Sequence, residues 1–199
     1  MDETPATRPS LLVRLRDPHD ERAWAEFLEI YTPLVYRVAR QKGFQDADAD
    51  DVVQEVFRSV ASAIDRWDPD PSKGSFRGWL FRIARNHMLN HLARRRRQPM
   101  GTGDTDANRQ LGEHVGPSDE DSAMFEAEYM RSVFGWAVER VRGEFREPNW
   151  QAFWQTGVEG KDAAVVAEAL GMSVGAVYKS KSRVMARLRA VIQQVEGEE

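Results

Sequence analysis

Residues 76–97 read FRGWLFRIARNHMLNHLARRRR, with seven arginines and no acidic residue, in a chain whose formal net charge is -4. Arginine pairs with phosphate oxygens in a forked geometry, and although aromatics at helical spacing such as Phe76, Trp79 and Phe81 more often fill a core, rings of this kind can also stack on bases, so this composition suits capture of nucleic acid. A second cationic run lies between Ala169 and Val195, with five bases (Lys179, Lys181, Arg183, Arg187, Arg189) and no acid. The negative charge is sorted as well. Asp46, Asp48, Asp50, Asp51 and Glu55 form a block with no base between Lys42 and Arg58, and from Pro99 to Met130 eight acids accompany only Arg109. A single charged run is ordinarily a solvated face; two cationic runs on helical segments, parted by an acidic stretch, narrow that reading.

Other chemistries find little support. His87 and His91 have the i,i+4 spacing of a zinc pair, but the glutamate of HExxH is missing and the neighbours are arginines. The turn Ser72-Lys73-Gly74-Ser75 lacks the phosphate-loop pattern GxxxxGK[ST]. With no cysteine, neither disulfides nor thiolate metal sites can form. No arrangement for nucleophilic catalysis is legible, so no catalytic residue, metal or cofactor is expected and the chain reads as a non-enzyme. No run approaches the roughly 18 apolar residues of a membrane span, and MDETPATRPS lacks the apolar region of a signal peptide. The expected location is the cytoplasm, without membrane insertion.

The elements that must position these residues are helical throughout. Val52, Val56, Val60 and Ile64 lie four apart, with Val53 and Phe57 alongside, which predicts a helix turning Asp50, Asp51, Gln54, Glu55 and Arg58 away from its apolar stripe. Before it, Trp24, Phe27, Leu28, Tyr31, Leu34, Val35 and Val38 supply another apolar face, which Pro33 is expected to bend or divide. After it, residues 68–75 read as a turn, and the arginine helix follows with Leu80, Ile83, Ala84, Met88 and Leu92 near one face. Residues 99–121 are rich in Gly, Pro, Asp, Asn and Thr and read as a flexible acidic linker. The fold class is therefore all-α, with two small helical domains at 10–98 and 122–195 joined by that linker.

The second domain ends in a helix-turn-helix. Val165, Val166, Ala169 and Leu170 predict a short apolar helix, Gly171 permits the turn, and Ser173 can cap the next helix. Small Ala167 allows close approach of the two helices. In the second helix Val174, Val177, Val184, Leu188 and Val191 point to the core, and the opposite side centres on Lys179, Ser182, Arg183 and Ala186.

Three stretches, taken together and in order, resemble the extracytoplasmic-function group of the sigma-70 family: DADADDVVQEVFRSV (46–60), GSFRGWLFRIARNHMLNHLARRRR (74–97) and VYKSKSRVMARLR (177–189). The likeness runs from about Ser10 to Val195. It implies a sigma-2-like domain at 10–98 and a sigma-4-like domain at 122–195, acting without catalysis to bind RNA polymerase core, recognise promoter elements and promote melting. Asp50, Asp51, Gln54 and Glu55 match the face that meets the clamp helices of the polymerase's largest subunit; the flap would receive the C-terminal domain. The -10 element falls to Lys73, Ser75, Trp79, Arg82, Arg85, Asn86 and Arg94, Arg95, Arg96 and Arg97. The -35 element falls to Ser173, Lys179, Ser182, Arg183 and Arg187. Lys181 stands where the family usually has an aliphatic residue, so its stem is expected to pack while its ammonium snorkels. The resemblance makes room for an inhibitory anti-sigma protein and for association with the nucleoid through polymerase.

Two other readings stay open at this level. A stand-alone helix-turn-helix regulator of duplex DNA uses the C-terminal domain but leaves the acidic helix and the aromatic-arginine segment idle. A helical protein-interaction or RNA-binding module uses the basic faces alone.

Overall fold

The computed structural model describes residues 9–68, 75–97 and 118–196, and every regular element among them is helical. The chain divides into two compact units between Ser132 and Val133.

In the first unit, helix α1 (Pro9–Arg14) covers α2 (Glu21–Gln41) through Leu11 and Leu12, with Leu15 just beyond its end also buried. Asp20 starts α2 by accepting the amide of Ala23 at 2.9 Å, and both its oxygens take hydrogen bonds from the Arg14 guanidinium at 2.8 Å. Helix α2 runs through Pro33 without dividing, because a proline removes one N–H and its neighbours still bury Tyr31, Leu34 and Val35 against the core. It ends at Lys42 and Gly43, where φ is +85°; Gly43 N–H donates to the Arg40 carbonyl at 3.0 Å and Phe44 N–H to that of Ala39 at 3.2 Å. This paired closure needs a left-handed residue, which glycine supplies at low cost. It also drives Phe44 into the core and reverses the chain into α3 (Asp46–Ala63).

Helix α3 buries Ala49, Val52, Val53, Val56 and Val60, and Ile64 in the following 3-10 turn extends the expected stripe. Helix α4 (Phe76–Arg97) is started by Ser75, whose Oγ accepts the Gly78 amide at 3.1 Å. Leu80, Ala84 and Met88 are buried, as are Phe76 and Phe81, while Ile83 and Leu92 are half-buried. Phe76 sits among Phe27, Tyr31, Trp67 and Trp79 with centroid distances of 5.4 to 5.9 Å. Residues 69–74, most of the expected turn, lie outside the described set.

The unit boundary falls later than the expected start at 122. Helix α5 (Asp119–Val141) contributes residues 119–132 to the first unit and 133–141 to the second. The physical reason is a buried seat. Phe125 packs on Phe81 at 4.8 Å, Tyr129 stacks on Tyr31 at 5.9 Å, and the Arg77 guanidinium lies 4.4 Å over the Tyr129 ring. Glu128, with its side chain 2% exposed, accepts from Arg37 Nε at 2.7 Å, Arg131 Nη1 at 2.6 Å and the Gln41 amide at 2.5 Å. Lys42 pairs with Asp121. Of the expected linker, residues 99–117 fall outside the described set, while 118–121 are the capped start of this helix.

The second unit closes around Ala137, Val138, Val141, Trp150, Phe153, Val184, Leu188 and Val191. After a 3-10 turn come α6 (Glu147–Phe153), a π-helical turn (Trp154–Val158), α7 (Ala163–Leu170) and α8 (Val174–Glu196). Asp162 caps α7, Gly171 takes φ +61° in the turn, and Ser173 Oγ accepts the Ala176 amide at 3.2 Å to start α8. Val166, Ala167 and Val177 fill the small core between α7 and α8. One expected core residue stands outside it: Val174, at the open first turn of α8, is 41% exposed, and Val165 of the short apolar helix is 60% exposed.

Candidate nucleic-acid interface

The acidic block on α3 separates into three destinations. Asp46 faces α2, accepting from Tyr36 Oη at 2.9 Å and pairing with Arg40 at 3.1 Å. Asp48 and Glu55, seven residues apart, face α4. Asp48 pairs with His91 Nε2 and Arg95 Nη1, each at 3.1 Å; Glu55 pairs with His87 Nδ1 at 3.1 Å and Arg94 Nη1 at 3.2 Å. Only Asp50, Asp51 and Gln54 of the expected docking face are fully outward, with Gln54 accepting from Arg58 at 3.2 Å. Partial burial pushes the Glu55 carboxyl up, but hydrogen bonds and charge from Arg94 and His87 outweigh it and hold the group below its ordinary value.

The histidines thus bind carboxylates of α3. His87 also contacts Ser59 Oγ through Nε2 at 2.8 Å, which lines up serine, imidazole and glutamate in the order of a nucleophile triad. Ser59 lies in mid-helix, where the surrounding amides are committed to helical hydrogen bonds and cannot form an oxyanion hole. The arrangement is a polar brace between two helices.

On α4 the expected DNA residues do not share one fate. Ser75, Arg82 and Asn86 are exposed, Trp79 is half-buried against Phe76 and Trp67, and Leu89, unanticipated, is 39% exposed on the same side. Arg85 is half-buried near α5, where its charge helps hold the Asp121 carboxyl below its ordinary value, after the larger effect of the Lys42 hydrogen bond. Arg94 and Arg95 keep half or more of their ordinary surface open, 62% and 50%, while paired to α3. Lys73 and the side chains of Arg96 and Arg97 lie outside the described set. Arg77 is 3% exposed and bound to Glu126 at 3.2 Å; burial opposes its charge, but Glu126 and Tyr129 hold its pKa above the ordinary value, so it stays cationic inside the protein.

On α8, Lys179, Ser182 and Arg183 share an exposed face. Sequence reasoning missed Tyr178, which stands 59% exposed between Gly175 and Ser182 on that face. Its signal was available, since 178 and 182 are one helical turn apart. Ser173 is spent on the cap, although it too is exposed. Arg187 turns aside: it is held by Glu144 through two hydrogen bonds of 2.6 and 2.8 Å. That pairing lowers the Glu144 pKa and raises that of Arg187. Lys181 packs its stem and donates from Nζ to the Thr156 carbonyl at 3.2 Å, in the π-helical turn. Ser180, buried, donates to Asn149 Oδ1 at 3.2 Å, and a cavity of about 190 Å³ opens beside it between Phe145, Met172, Lys179 and Arg183. These ties fix the helix from behind and leave Tyr178, Lys179, Ser182 and Arg183 facing outward.

Among the described residues there is no cluster of three or more metal-ligating side chains and no helix long and apolar enough to cross a membrane.

Comparison with known proteins agrees with the three-stretch resemblance. The family model for sigma-70 region 2 matches residues 27–98, spanning most of α2, α3 and α4. The RNA polymerase sigma factor NccH of Alcaligenes xylosoxydans xylosoxydans is 30% identical over 192 residues, covering 94% of this chain and 97% of its own. The RNA polymerase sigma factor CnrH of Cupriavidus metallidurans is 29% identical over 179 residues, 87% of this chain and 88% of its own. The solved structure of CnrH in complex with the cytosolic domain of CnrY matches with 26% identity over 93% of this chain and 96% of that one, at a TM-score of 0.37.

Proposed function

This chain belongs to the extracytoplasmic-function sigma factors of RNA polymerase, and from that premise we propose how its two units divide the work of transcription initiation. The first unit docks on polymerase core through Asp50, Asp51 and Gln54 of α3, which meet the basic clamp helices of the largest subunit, and reads the -10 element with α4. Ser75, Trp79, Arg82 and Asn86 lie along the open side of that helix, a stripe suited to a single strand because it offers ring surface, a cation and an amide in succession. The second unit seats on the flap and lays α8 in the major groove at the -35 element, with Lys179, Ser182 and Arg183 at base edges or phosphates. The observation that carries the reading is the outward cationic face of α8 braced from behind, together with a separate unit in which an acidic face and an arginine face belong to different helices.

Each contact is weak alone. Held together on polymerase, the two sites act at high effective concentration, and neither domain needs to bind promoter tightly by itself. An anti-sigma protein is a further partner that membership of this group implies, and the cytoplasm, at the nucleoid when polymerase-bound, is the proposed location. The experiment is reconstitution: purified chain mixed with core polymerase should co-elute and start transcripts at defined sites on genomic fragments. Tight duplex binding by the chain alone, with no association with core, would instead make it a free-standing regulator.

A further inference from the structure

We propose that Asp48 and Glu55 act as an intramolecular latch on Arg94 and Arg95. In the free chain these α3 carboxylates occupy two guanidinium groups at the C-terminal end of α4, and docking of α3 on a basic polymerase surface sets competing cations beside the carboxylates, which keep their histidines, and releases the arginines to phosphate. The inference rests on the assignment of α3 to polymerase and α4 to DNA.

The register is what makes the seam a latch. Asp48 and Glu55 are two helical turns apart and so share a face of α3; His87 and Arg94 are likewise seven apart on α4, and His91 and Arg95 four apart. Each carboxylate therefore receives one imidazole and one guanidinium. The imidazoles are the inner partners, 23% and 15% exposed, and the guanidiniums the outer ones, 62% and 50% exposed. An outer arginine can leave without stranding the carboxylate, which keeps its histidine. Exposed ion pairs are individually weak and salt-sensitive, so a phosphate or a lysine-rich surface competes with them easily. Asp50 and Asp51, on the same helix, take no part in the seam and are the residues positioned to bring the basic partner alongside. Coupling of this kind is reciprocal: DNA that takes the arginines makes the freed carboxylates more available to polymerase, by the same factor.

The test uses the full chain without polymerase and a fluorescent single-stranded oligonucleotide of mixed sequence, titrated across a range of salt. Asp48→Asn/Glu55→Gln should bind about tenfold tighter than the parent at low salt, with a log-log salt slope steeper by roughly 0.7 for each arginine released. The charge-matched pair Asp50→Asn/Asp51→Asn should gain about twofold, the share due to net charge alone. Adding Arg94→Ala/Arg95→Ala to the first variant should erase its gain. Asp48→Asn by itself, at the open first turn of α3, should give about a threefold gain and serves if the double substitution impairs folding. Equal gains from the two acidic pairs, or a gain that survives loss of both arginines, would overturn the latch. Failure of the chain to co-elute with core would overturn the polymerase assignment separately, since the oligonucleotide titration contains no polymerase.

Discussion

Helices α4 and α8 look alike in sequence, each rich in arginine or lysine over an acid-free stretch, yet the folded protein treats their charges differently. On α4, Arg77 is buried beneath α5, Arg85 leans toward the same helix, and Arg94 and Arg95 are paired to α3, so among the arginines of that helix whose side chains are described Arg82 is the one most open to an external anion. On α8 only Lys181 and Arg187 are turned inward or sideways, and the face carrying Lys179 and Arg183 is clear. The difference follows from what surrounds each helix. Helix α4 is flanked by two acidic neighbours, α3 and the first half of α5, whereas α8 packs on α6 and α7 through apolar residues. Counting charges in a sequence measures how much cation a segment holds; the acidic packing partners fix how much of it an outside ligand can reach.

The comparison breaks most sharply at Arg77. Arg77→Ala should lower the unfolding free energy in urea by about 3 kcal/mol, because it strips the ion pair from Glu126 and leaves Tyr129 without its cation. Arg82→Ala, five residues on, should leave stability within about 0.5 kcal/mol and weaken single-strand binding evenly across sequences. If the two substitutions destabilise equally, the buried and open arginines are not distinct.

On α8 the expected effect is on selectivity. Arg183→Ala should change the ranking of promoters that differ at one -35 position, by roughly 10-fold to 100-fold at the base it meets, in run-off transcription. Arg187→Ala should alter that ranking little, since Glu144 already occupies its guanidinium. A reversal of that order would show that the Glu144 pair opens on DNA.

The mildest effect concerns pH. Asp20, Glu55, Asp121 and Glu144 all have folded pKa values below their ordinary ones, chiefly through Arg14 for Asp20, Lys42 for Asp121 and Arg187 for Glu144, and through Arg94 and His87 against burial for Glu55. Such groups bind fewer protons folded than unfolded, so their contribution is complete above the unfolded carboxylate range near about pH 4 and is lost as pH falls through the folded values. Thermal melts should therefore decline on acidification below about pH 4, and Glu144→Gln should flatten that decline slightly. A loss confined to neutral pH would point to other groups.

Much of the fold was legible because apolar spacing is local. The valine stripe of α3, the cap at Ser173 and the glycine turn at Gly171 all follow from residues within a few positions of one another, and the structure has them as the sequence reading expects. Helix α5 was hidden for the opposite reason. Its anchors, Phe125, Glu128 and Tyr129, sit within an acidic run whose partners Tyr31, Arg37, Arg77 and Phe81 come from elsewhere in the chain, so the segment reads as the start of the second domain, at 122, until α2 and α4 supply the seat. Val174 was misassigned to the core because a wheel gives a helix's apolar side without saying how far along its length a neighbour reaches.

The candidate surfaces divide in the same way. Residue type and periodicity were enough to bring forward Asp50, Asp51, Lys179 and Arg183, since an outward helical position is set by the helix's own geometry, while Arg82 and Asn86 came forward through the family resemblance. They could not reveal that Glu55 is shared with His87 and Arg94, that Arg187 belongs to Glu144, or that Tyr178 completes the open face of α8. By itself the sequence determined an all-helical chain of the sigma group with acidic and basic faces on separate helices. Which of those charges remain available was decided only by tertiary structure, because an ion pair depends on distance in space and the partners lie 32 to 43 residues apart along the chain.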